Sequence, residues 1–360
     1  MAATDLSPRE LQTVRNATVW RDDQPYEQLD GRAALAADEI PWFDVVPGSD
    51  PCDVFGELRP YCSDHLTQNQ IADLLAADCA PGCIEYSSGD VRLARTVAIH
   101  PSTPRENDDA TPQVGNLMLQ PVYILVGPTW MLSCWHRSHC YRGDTEIGCA
   151  DTGIVPLGDC LDAVQRRWTE SKLGETAGDL GMMLLHEVAL TFAGAHRALS
   201  RWHEDWELML YRDNKLQEHS LSELWGSMQL LRNWIGPLNR PGMRANPDKA
   251  WFRGISDARE IEQVDDRIDK ALSNLAGLGR LLRDSFAARQ TRMEEERQRR
   301  IEKIAAVFLV PTLVVGFYGA NTKLPGGNRW SGFVEMVMAM LVLTTIAVVA
   351  INRAHAARNR

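Results

Sequence analysis

The sequence predicts a mixed α/β domain, then a helical arm, one very long helix and two apolar segments long enough to cross a membrane. Strand-like segments and turn signals occupy the first half of the chain. A proline-free region near residues 256–303 has charges of both signs and apolar residues at three- and four-residue steps. Two nearly uncharged runs lie between residues 304 and 351. Together these patterns indicate an α/β cytosolic domain attached to a membrane hairpin.

The N-terminal α/β domain is assigned to residues 1–175. Residues 93–101 (LARTVAIHP) and 121–137 (PVYILVGPTWMLSCWHR) have the composition of strands. The second segment contains Gly127-Pro128, which predicts a hairpin turn. A loop rich in Pro, Asp and Asn precedes it, and we expect these segments to form part of a sheet.

A helical arm is predicted over residues 176–254. Residues 181–212 and 221–235 are both amphipathic, with apolar residues recurring at helical spacing. Two such helices after the strand-like segments fit an α/β domain followed by a helical arm.

A long stalk helix is predicted over residues 255–303. Its apolar stripe comprises Ile261, Val264, Ile268, Leu272, Leu275, Leu282, Phe286 and Met293. Continuing at the same step gives Ile301, Ala305, Leu309, Thr312 and Gly316. Such a stripe serves either plain helix packing or, where its residues are small, an open path between helices, and the periodicity leaves both open.

Two membrane spans are predicted at residues 304–320 and 333–351, because a bilayer core needs about 20 mostly apolar helical residues. The second run contains one charge, Glu335. Basic residues precede the first span and follow the second, within a tail at 352–360, which places both termini in the cytosol of an inner-membrane protein. Residues 321–332 then form a short outer loop. A pair of buried soluble helices is the alternative.

Composition excludes several classes of function. The formal net charge of −10 argues against a nucleic-acid binder. The first residues have neither a basic start nor an apolar core, so no secretory signal is expected. Motifs for a serine nucleophile, a phosphate loop or a metalloprotease are missing from the sequence, so we expect no enzyme and no cofactor, and a membrane-anchored enzyme is the least favoured hypothesis.

The C-terminal segments resemble the CorA family of divalent-cation transporters. Tyr318-Gly319-Ala320-Asn321 ends the first span, and Gly319 to Asn321 fall on the Gly-Met-Asn signature of that family. Residues 308–321 (FLVPTLVVGFYGAN) also fit its proline, threonine and glycine pattern. The loop sequence LPGG is closer to the zinc-transporting ZntB branch than to magnesium CorA proteins.

The resemblance implies a CorA-like pentameric funnel, a homopentamer in the bilayer whose pore is lined by the first span. Asn321 then forms an outer ring of neutral amide oxygens, which suits a cation that keeps its water shell. Thr312 and Gly316 line the middle, and Leu309 and Ile301 form an apolar constriction. The remaining pore-lining candidates are Ala305, Gln298 and Asp284. The expected cargo is magnesium or zinc, with cobalt and nickel as further candidates. Asn321 as a simple helix C-cap is the alternative.

Two departures from the family pattern favour a different function. Ala320 replaces the signature methionine, and the outer loop has Lys323 and Arg329 where carboxylates are common in the family. The first change removes a bulky side chain beneath the asparagine ring, and the basic loop residues weaken cation attraction at the mouth. A non-conducting, membrane-tethered cation sensor or scaffold on the same fold is therefore the alternative function.

Acidic residues near the start of the stalk are candidate regulatory ligands. In the family, cytosolic divalent ions bind carboxylates between subunits, and the resemblance implies this role for Asp257, Glu260 and Asp265. A cation that joins carboxylates can bias a two-state assembly. A solvated acidic helix face is the alternative reading of the same residues.

The segment SCWHRSHC has four potential soft metal ligands: Cys134, His136, His139 and Cys140. Alternate residues of a strand share a face, which would bring some of them together, but their spacing matches no standard zinc module. Zinc binding and unremarkable free thiols both stay open.

Overall fold

A computed structural model describes most of the chain. The described residues are 11–21, 24–29, 35–36, 39–62, 65–77, 79–86, 89–102, 115–150, 157–171, 176–212, 218–239, 250–256, 258–320, 334, 337–346 and 349. The chain divides into two compact units, Met1–Leu282 and Arg283–Arg360.

The first unit is built on a mixed sheet. Its strands are β1 (Val14–Arg21), β2 (Gln24–Gln28), β3 (Ile40–Val45), β4 (Gly82–Glu85), β5 (Arg92–Ser102), β6 (Asn116–Val126), β7 (Met131–Trp135), β8 (Ser138–Arg142) and β9 (Thr145–Ala150). The spatial order is β2-β1-β3-β7-β6-β5-β4, while β8 pairs with β6 and β9 pairs with β8. Among the described strands, β3 and β7 form a parallel pair and the other neighbouring strands pair antiparallel.

Besides the helical residues 337–346, six α-helices are defined within the described residues. They are α1 (Pro51–Leu58), α2 (Gln68–Leu75), α3 (Leu157–Ser171), α4 (Ala177–Arg212), α5 (Glu218–Ile235) and α6 (Ala258–Ala320). The two short helices begin at strong caps. Asp50 accepts from the Cys52 amide at the start of α1, and Thr67 and Gln70 form a reciprocal capping box at the start of α2. The sheet and these helices together confirm the predicted α/β domain and the predicted long helix.

The central strand β6 is buried on both faces. Val122 and Ile124 belong to a core that includes α4, whereas Tyr123 and Leu125 belong to a second core that includes α1 and α2. A strand covered on both sides needs apolar residues at consecutive positions, which explains the unbroken run PVYILV. The predicted hairpin is confirmed, since β6 pairs with β7 and the Gly127 amide donates to the Trp130 carbonyl at 2.9 Å.

A buried carboxylate lies at the parallel pair of strands. Asp44 of β3 is 2% exposed and is in register with Ser133 of β7. The Ser133 hydroxyl donates to Asp44 Oδ1 at 3.0 Å, and the Trp42 indole donates to Ser133 Oγ at 2.9 Å. Arg15 Nε lies 3.6 Å from Asp44 Oδ2. Burial nevertheless dominates and raises the pKa of Asp44 to about 7, although Arg15 and Ser133 oppose the rise.

Polar contacts hold the residues that immediately precede α6. Asp179 in the first turn of α4 accepts from the Ser256 amide at 2.9 Å and from the Ser256 hydroxyl at 2.8 Å. Arg92 of β5 is fully buried, donates to the Ala250 carbonyl and pairs with Glu85 at 2.9 Å. These contacts place the residues before α6 at a defined point on the domain.

The apolar stripe of α6 is buried at its start and exposed further along. Ile261, Val264, Ile268, Leu275 and Leu282 are all buried in the core that includes α4 and α5. Beyond Leu282 the next members, Phe286 and Met293, are exposed. Of the two readings of this stripe, helix packing is therefore correct as far as Leu282.

Candidate ion pathway

The C-terminal part of α6 has a markedly apolar and exposed surface. Ile304 is 58%, Phe308 69%, Leu309 68% and Leu313 71% exposed in the isolated chain. Soluble helices rarely expose large aliphatic and aromatic side chains over successive turns, because water solvates them poorly. Among the described residues nothing covers these side chains, so this surface needs an apolar neighbour.

The predicted pore-lining residues all lie on α6 and are exposed. They are Asp284, Gln298, Ile301, Ala305, Leu309, Thr312 and Gly316. From Ile301 onward they recur every three or four residues, so the helix places them along one side. The Gln298 side chain donates to Glu302 at 3.2 Å within the helix. The helical periodicity thus aligns the residues from Ile301 to Gly316 in one continuous row along α6. The described residues do not include a segment that faces this row.

Hydroxyl groups in the apolar segments are satisfied within their own helices. Thr312 Oγ1 donates to the Phe308 carbonyl at 2.6 Å. In residues 337–346, which are helical, Thr344 and Thr345 each donate to the carbonyl four residues earlier at 2.7 Å. Such internal bonds allow a hydroxyl to lie in an apolar environment without a water partner.

The second apolar run is also exposed where it is described. Met338 is 56%, Leu341 60% and Ile346 58% exposed. Within the described ranges, however, no helix combines the length and the apolarity that crossing a bilayer requires. Parts of both apolar runs lie outside the described residues or have side chains that do.

The Gly-Ala-Asn segment lies at the limit of the described helix. Tyr318, Gly319 and Ala320 belong to the last turn of α6, and their side chains lie outside the description. Asn321 itself, with the outer loop, lies outside the described residues. The proposed filter is therefore located by sequence alone.

The three candidate regulatory acids have different surroundings. Asp257 lies outside the described residues, and Asp265 is half-buried in the second turn of α6. Glu260 is buried, with Oε1 3.6 Å from Arg167 Nη1 and Oε2 3.5 Å from His186 Nδ1. The contact with His186 and the charges of Arg167 and Arg267 lower the pKa of Glu260, against the opposing effect of burial.

The four candidate zinc ligands in SCWHRSHC lie on β7, in the β7–β8 connection and on β8, in different environments. Cys134 on β7 is buried in the core beneath α1 and α2, where burial raises the pKa of its thiol. His136 Nε2 lies 3.0 Å from the Leu74 carbonyl, and His139 on β8 lies 2.8 Å from Glu146. Cys140 is on β8 with His139, and burial raises its pKa as well. Over the described ranges, no group of three His, Cys, Asp or Glu residues is arranged to hold a metal ion.

Comparison with known proteins identifies the family to which the chain belongs. Residues 157–353, more than half of the chain, match the family described as CorA-like Mg2+ transporter protein. The chain belongs to the CorA family. The matched region begins at the first residue of α3 and includes α4, α5 and α6, which are the elements that carry the candidate pathway.

Individual CorA-family relatives are distant. The chain is 27% identical over 118 residues to the zinc transport proteins ZntB of Pectobacterium carotovorum subsp. carotovorum and Pectobacterium atrosepticum. These alignments cover 32% of this chain, and the chain spans only 36% of the length of those curated relatives.

Solved structures agree on the fold over nearly the whole chain. The complete structure of the CorA magnesium transporter from Methanocaldococcus jannaschii matches with a TM-score of 0.62 and 14% identity, covering 94% of this chain and 98% of that one. The structure of the full-length CmaX protein matches with a TM-score of 0.58 and 15% identity, covering 94% and 97%. At this level of identity, the likeness establishes the fold.

Sequence reasoning missed the buried charged cluster around Glu260. Its other members, Arg167 on α3 and His186 and Glu187 on α4, are far from Glu260 in the chain. One signal was available, since His186-Glu187 interrupts the apolar run MMLLHEVAL, where two ionisable residues need partners.

Proposed function

We propose that the protein conducts divalent cations across the inner membrane, as a homopentamer whose pore is lined by the C-terminal part of α6. The observation that carries the proposal is α6 itself. In a CorA-family chain it runs from a buried stripe at Ile261 to an exposed apolar surface at Leu313, and Gly-Ala-Asn follows directly.

Two membrane spans are part of this proposal. The exposed side chains at Phe308, Leu313 and Leu341 would be covered by lipid or by neighbouring copies, which removes their contact with water. The Thr312, Thr344 and Thr345 hydroxyls are bonded to their own helices, as lipid requires. Both termini would lie in the cytosol, with residues 321–332 as the outer loop.

The proposed pathway takes a hydrated cation rather than a bare one. Magnesium loses its water reluctantly, so neutral oxygens at Asn321 and Thr312 would hold the water shell without stripping it. Leu309 and Ile301 would form the apolar constriction, and Gln298 and Asp284 would receive the ion at the cytosolic end. The relatives named for magnesium and zinc support this class of cargo. We propose no catalytic role.

The test is uptake by reconstituted liposomes. We expect entry of magnesium, zinc, cobalt or nickel above the rate of protein-free liposomes, because a ring of α6 helices would provide a path for hydrated cations. Fluorescent indicators inside the liposomes report each ion separately. No uptake of any of the four by a verified oligomer would contradict conduction and favour the sensor or scaffold.

The sensor or scaffold is retained as the second candidate because of three residues. Ala320 removes the bulk of the signature methionine, and Lys323 and Arg329 place positive charge in the loop. Positive charge at a mouth repels cations, with an effect that salt screens. If these residues limit entry, uptake should rise with ionic strength.

The oligomer is a separate expected result. Two spans in one chain cannot enclose an aqueous path, so several copies must contribute α6. We expect light scattering of the detergent-solubilised protein to give about five chains per particle. A stable monomer would contradict the pore.

A further inference from the structure

Five charged or ionisable side chains from three helices meet inside the first unit. Arg167 comes from α3, His186 and Glu187 from α4, and Glu260 and Arg267 from α6. We name this cluster the ionic junction. His186 is 0% exposed at its side chain and lies at the centre.

The arginines determine which nitrogen of His186 accepts. Arg167 Nη2 lies 2.8 Å and Arg267 Nε 2.9 Å from the same atom, His186 Nε2. Guanidinium groups only donate, so Nε2 must present its lone pair and the ring proton must be on Nδ1. Nδ1 faces Glu260 Oε2 at 3.5 Å. His186 therefore links α3 and α6 through one ring.

The junction brings charges of both signs together. Arg167 Nε also donates to Glu187 Oε1 at 2.6 Å, and Glu260 Oε1 lies 3.6 Å from Arg167 Nη1. Two guanidinium groups thus face two carboxylates around a neutral ring, and the exposed Asp266 adds a carboxylate near Arg267. Removing the charge of Glu260 would take away one of the two carboxylates that face the half-buried Arg167, which is unfavourable where burial limits solvation by water.

We propose that the ionic junction is a positioning device, which fixes the first turns of α6 to α3 and α4 and so sets the position of the helix that we assign to the pore. This inference rests on the proposed function. In this proposal Glu260 has a structural role. The family resemblance had instead suggested that Glu260 is a ligand of a regulatory cation. His186 and Glu260 are positioning residues and touch no ion.

The variant Glu260→Gln tests the role of the carboxylate. It keeps the size of the side chain but removes the charge that faces Arg167 and His186. We expect backbone amides of residues 259–282 to exchange with deuterium at least about tenfold faster in the full-length oligomer. The matched control is Glu262→Gln, an exposed carboxylate two residues along the same helix, which should leave exchange unchanged.

Hydrogen exchange measured with and without a divalent cation distinguishes a positioning role of Glu260 from a regulatory, cation-binding role. If Glu260 is a positioning residue, Glu260→Gln speeds exchange equally with no magnesium and with millimolar magnesium. If Glu260 is a cation ligand, the variant matches the parent without magnesium and differs only when magnesium is added. The second pattern would overturn the proposal, as would unchanged exchange in both conditions.

Two variants of His186 provide a rescue test. In His186→Gln an amide oxygen can accept from both arginines near the position of Nε2, whereas His186→Leu has no acceptor. We expect near-parental exchange in His186→Gln and fast exchange or loss of folding in His186→Leu. Equal behaviour of the two variants would overturn the role of the acceptor.

Liposome uptake then connects the junction to conduction. We expect Glu260→Gln oligomers to show the same proportional change in uptake rate at every internal magnesium concentration, with Glu262→Gln as the parent-like control. Altered exchange with unaltered uptake would overturn the link to the pore. If the parent itself conducts nothing, the proposed function fails, while the exchange experiment still decides whether the junction positions α6.

Discussion

Replacing Asn321 with alanine should abolish cation uptake while leaving the oligomer intact. If Asn321 forms the outer ring of the pore, the symmetry of the assembly repeats the change in every subunit and removes all the amide oxygens at once. The apolar surfaces of α6 and of residues 337–346 are unchanged, so insertion and assembly should persist. Liposomes with matched amounts of oligomer provide the measurement.

Asn328→Ala is the matched control for this experiment. It removes the same amide from the same predicted outer loop, away from the Gly-Ala-Asn position, and should leave uptake near the parental rate. Parental uptake by Asn321→Ala would rule out the filter role and favour the helix C-cap.

Asn321→Asp distinguishes the filter from the C-cap more sharply. A ring of carboxylates should bind divalent cations more tightly, slow their release and change which ion is preferred. A C-cap tolerates aspartate and glycine about equally, with no change in ion preference. Competition between magnesium and zinc in the uptake assay reports the difference.

Asp44→Asn should stabilise the α/β unit at alkaline pH by several kcal/mol. The pKa of Asp44 is about 7 in the fold against 3.8 for an unperturbed carboxyl, so the folded state binds the proton more tightly than the unfolded state does. Its contribution to stability is fully present below about pH 4 and is lost as the pH rises to about 7. The slope is about 1.4 kcal/mol per pH unit, which gives roughly 4 kcal/mol in total.

Thermal denaturation of parent and variant at pH 5 and pH 8 would measure this effect. The variant stays neutral, so its advantage should be small at pH 5 and large at pH 8. Asp53→Asn, at an exposed carboxylate of α1, is the control and should follow the parent at both pH values. If the difference in melting temperature between Asp44→Asn and the parent were the same at pH 5 and pH 8, ionisation of Asp44 would carry no cost in stability.

Local patterns predicted the parts of the fold that local forces form. The β6–β7 hairpin follows from Gly127-Pro128 between two apolar runs, and α6 as far as Lys303 follows from a long proline-free stretch with helical periodicity. In both cases the interacting residues are close in sequence, so the pattern contains the needed information. The same is true of the amphipathic helices α4 and α5.

Contacts between distant segments were not predictable. The parallel pairing of β3 with β7 joins residues on either side of β4, β5 and β6, and it buries Asp44 where a polar residue in a strand suggests exposure. The ionic junction likewise unites Arg167, His186 and Glu260 from three helices. Charge and spacing identify such residues as polar but do not identify their partners.

For the candidate pathway, periodicity predicted the row from Ile301 to Gly316, and the structure places those residues on α6 as exposed side chains. The pore role itself came from the family resemblance. A single helix does not determine what faces it, because the opposite wall of the proposed pore would belong to other copies of the chain. The uptake experiments on the Asn321 variants therefore test whether this residue forms the filter.

The pairing of β3 with β7 also determines an order of events during synthesis. Antiparallel neighbours β5, β6 and β7 can form a meander as soon as they leave the ribosome, since each partner follows closely in the chain. β3 emerges earlier but must wait for β7, and closing so long a loop is a slow step. Until then the apolar strand β3 lacks its inner neighbour in the nascent chain. We expect this interval to be the period when the polypeptide depends most on chaperones.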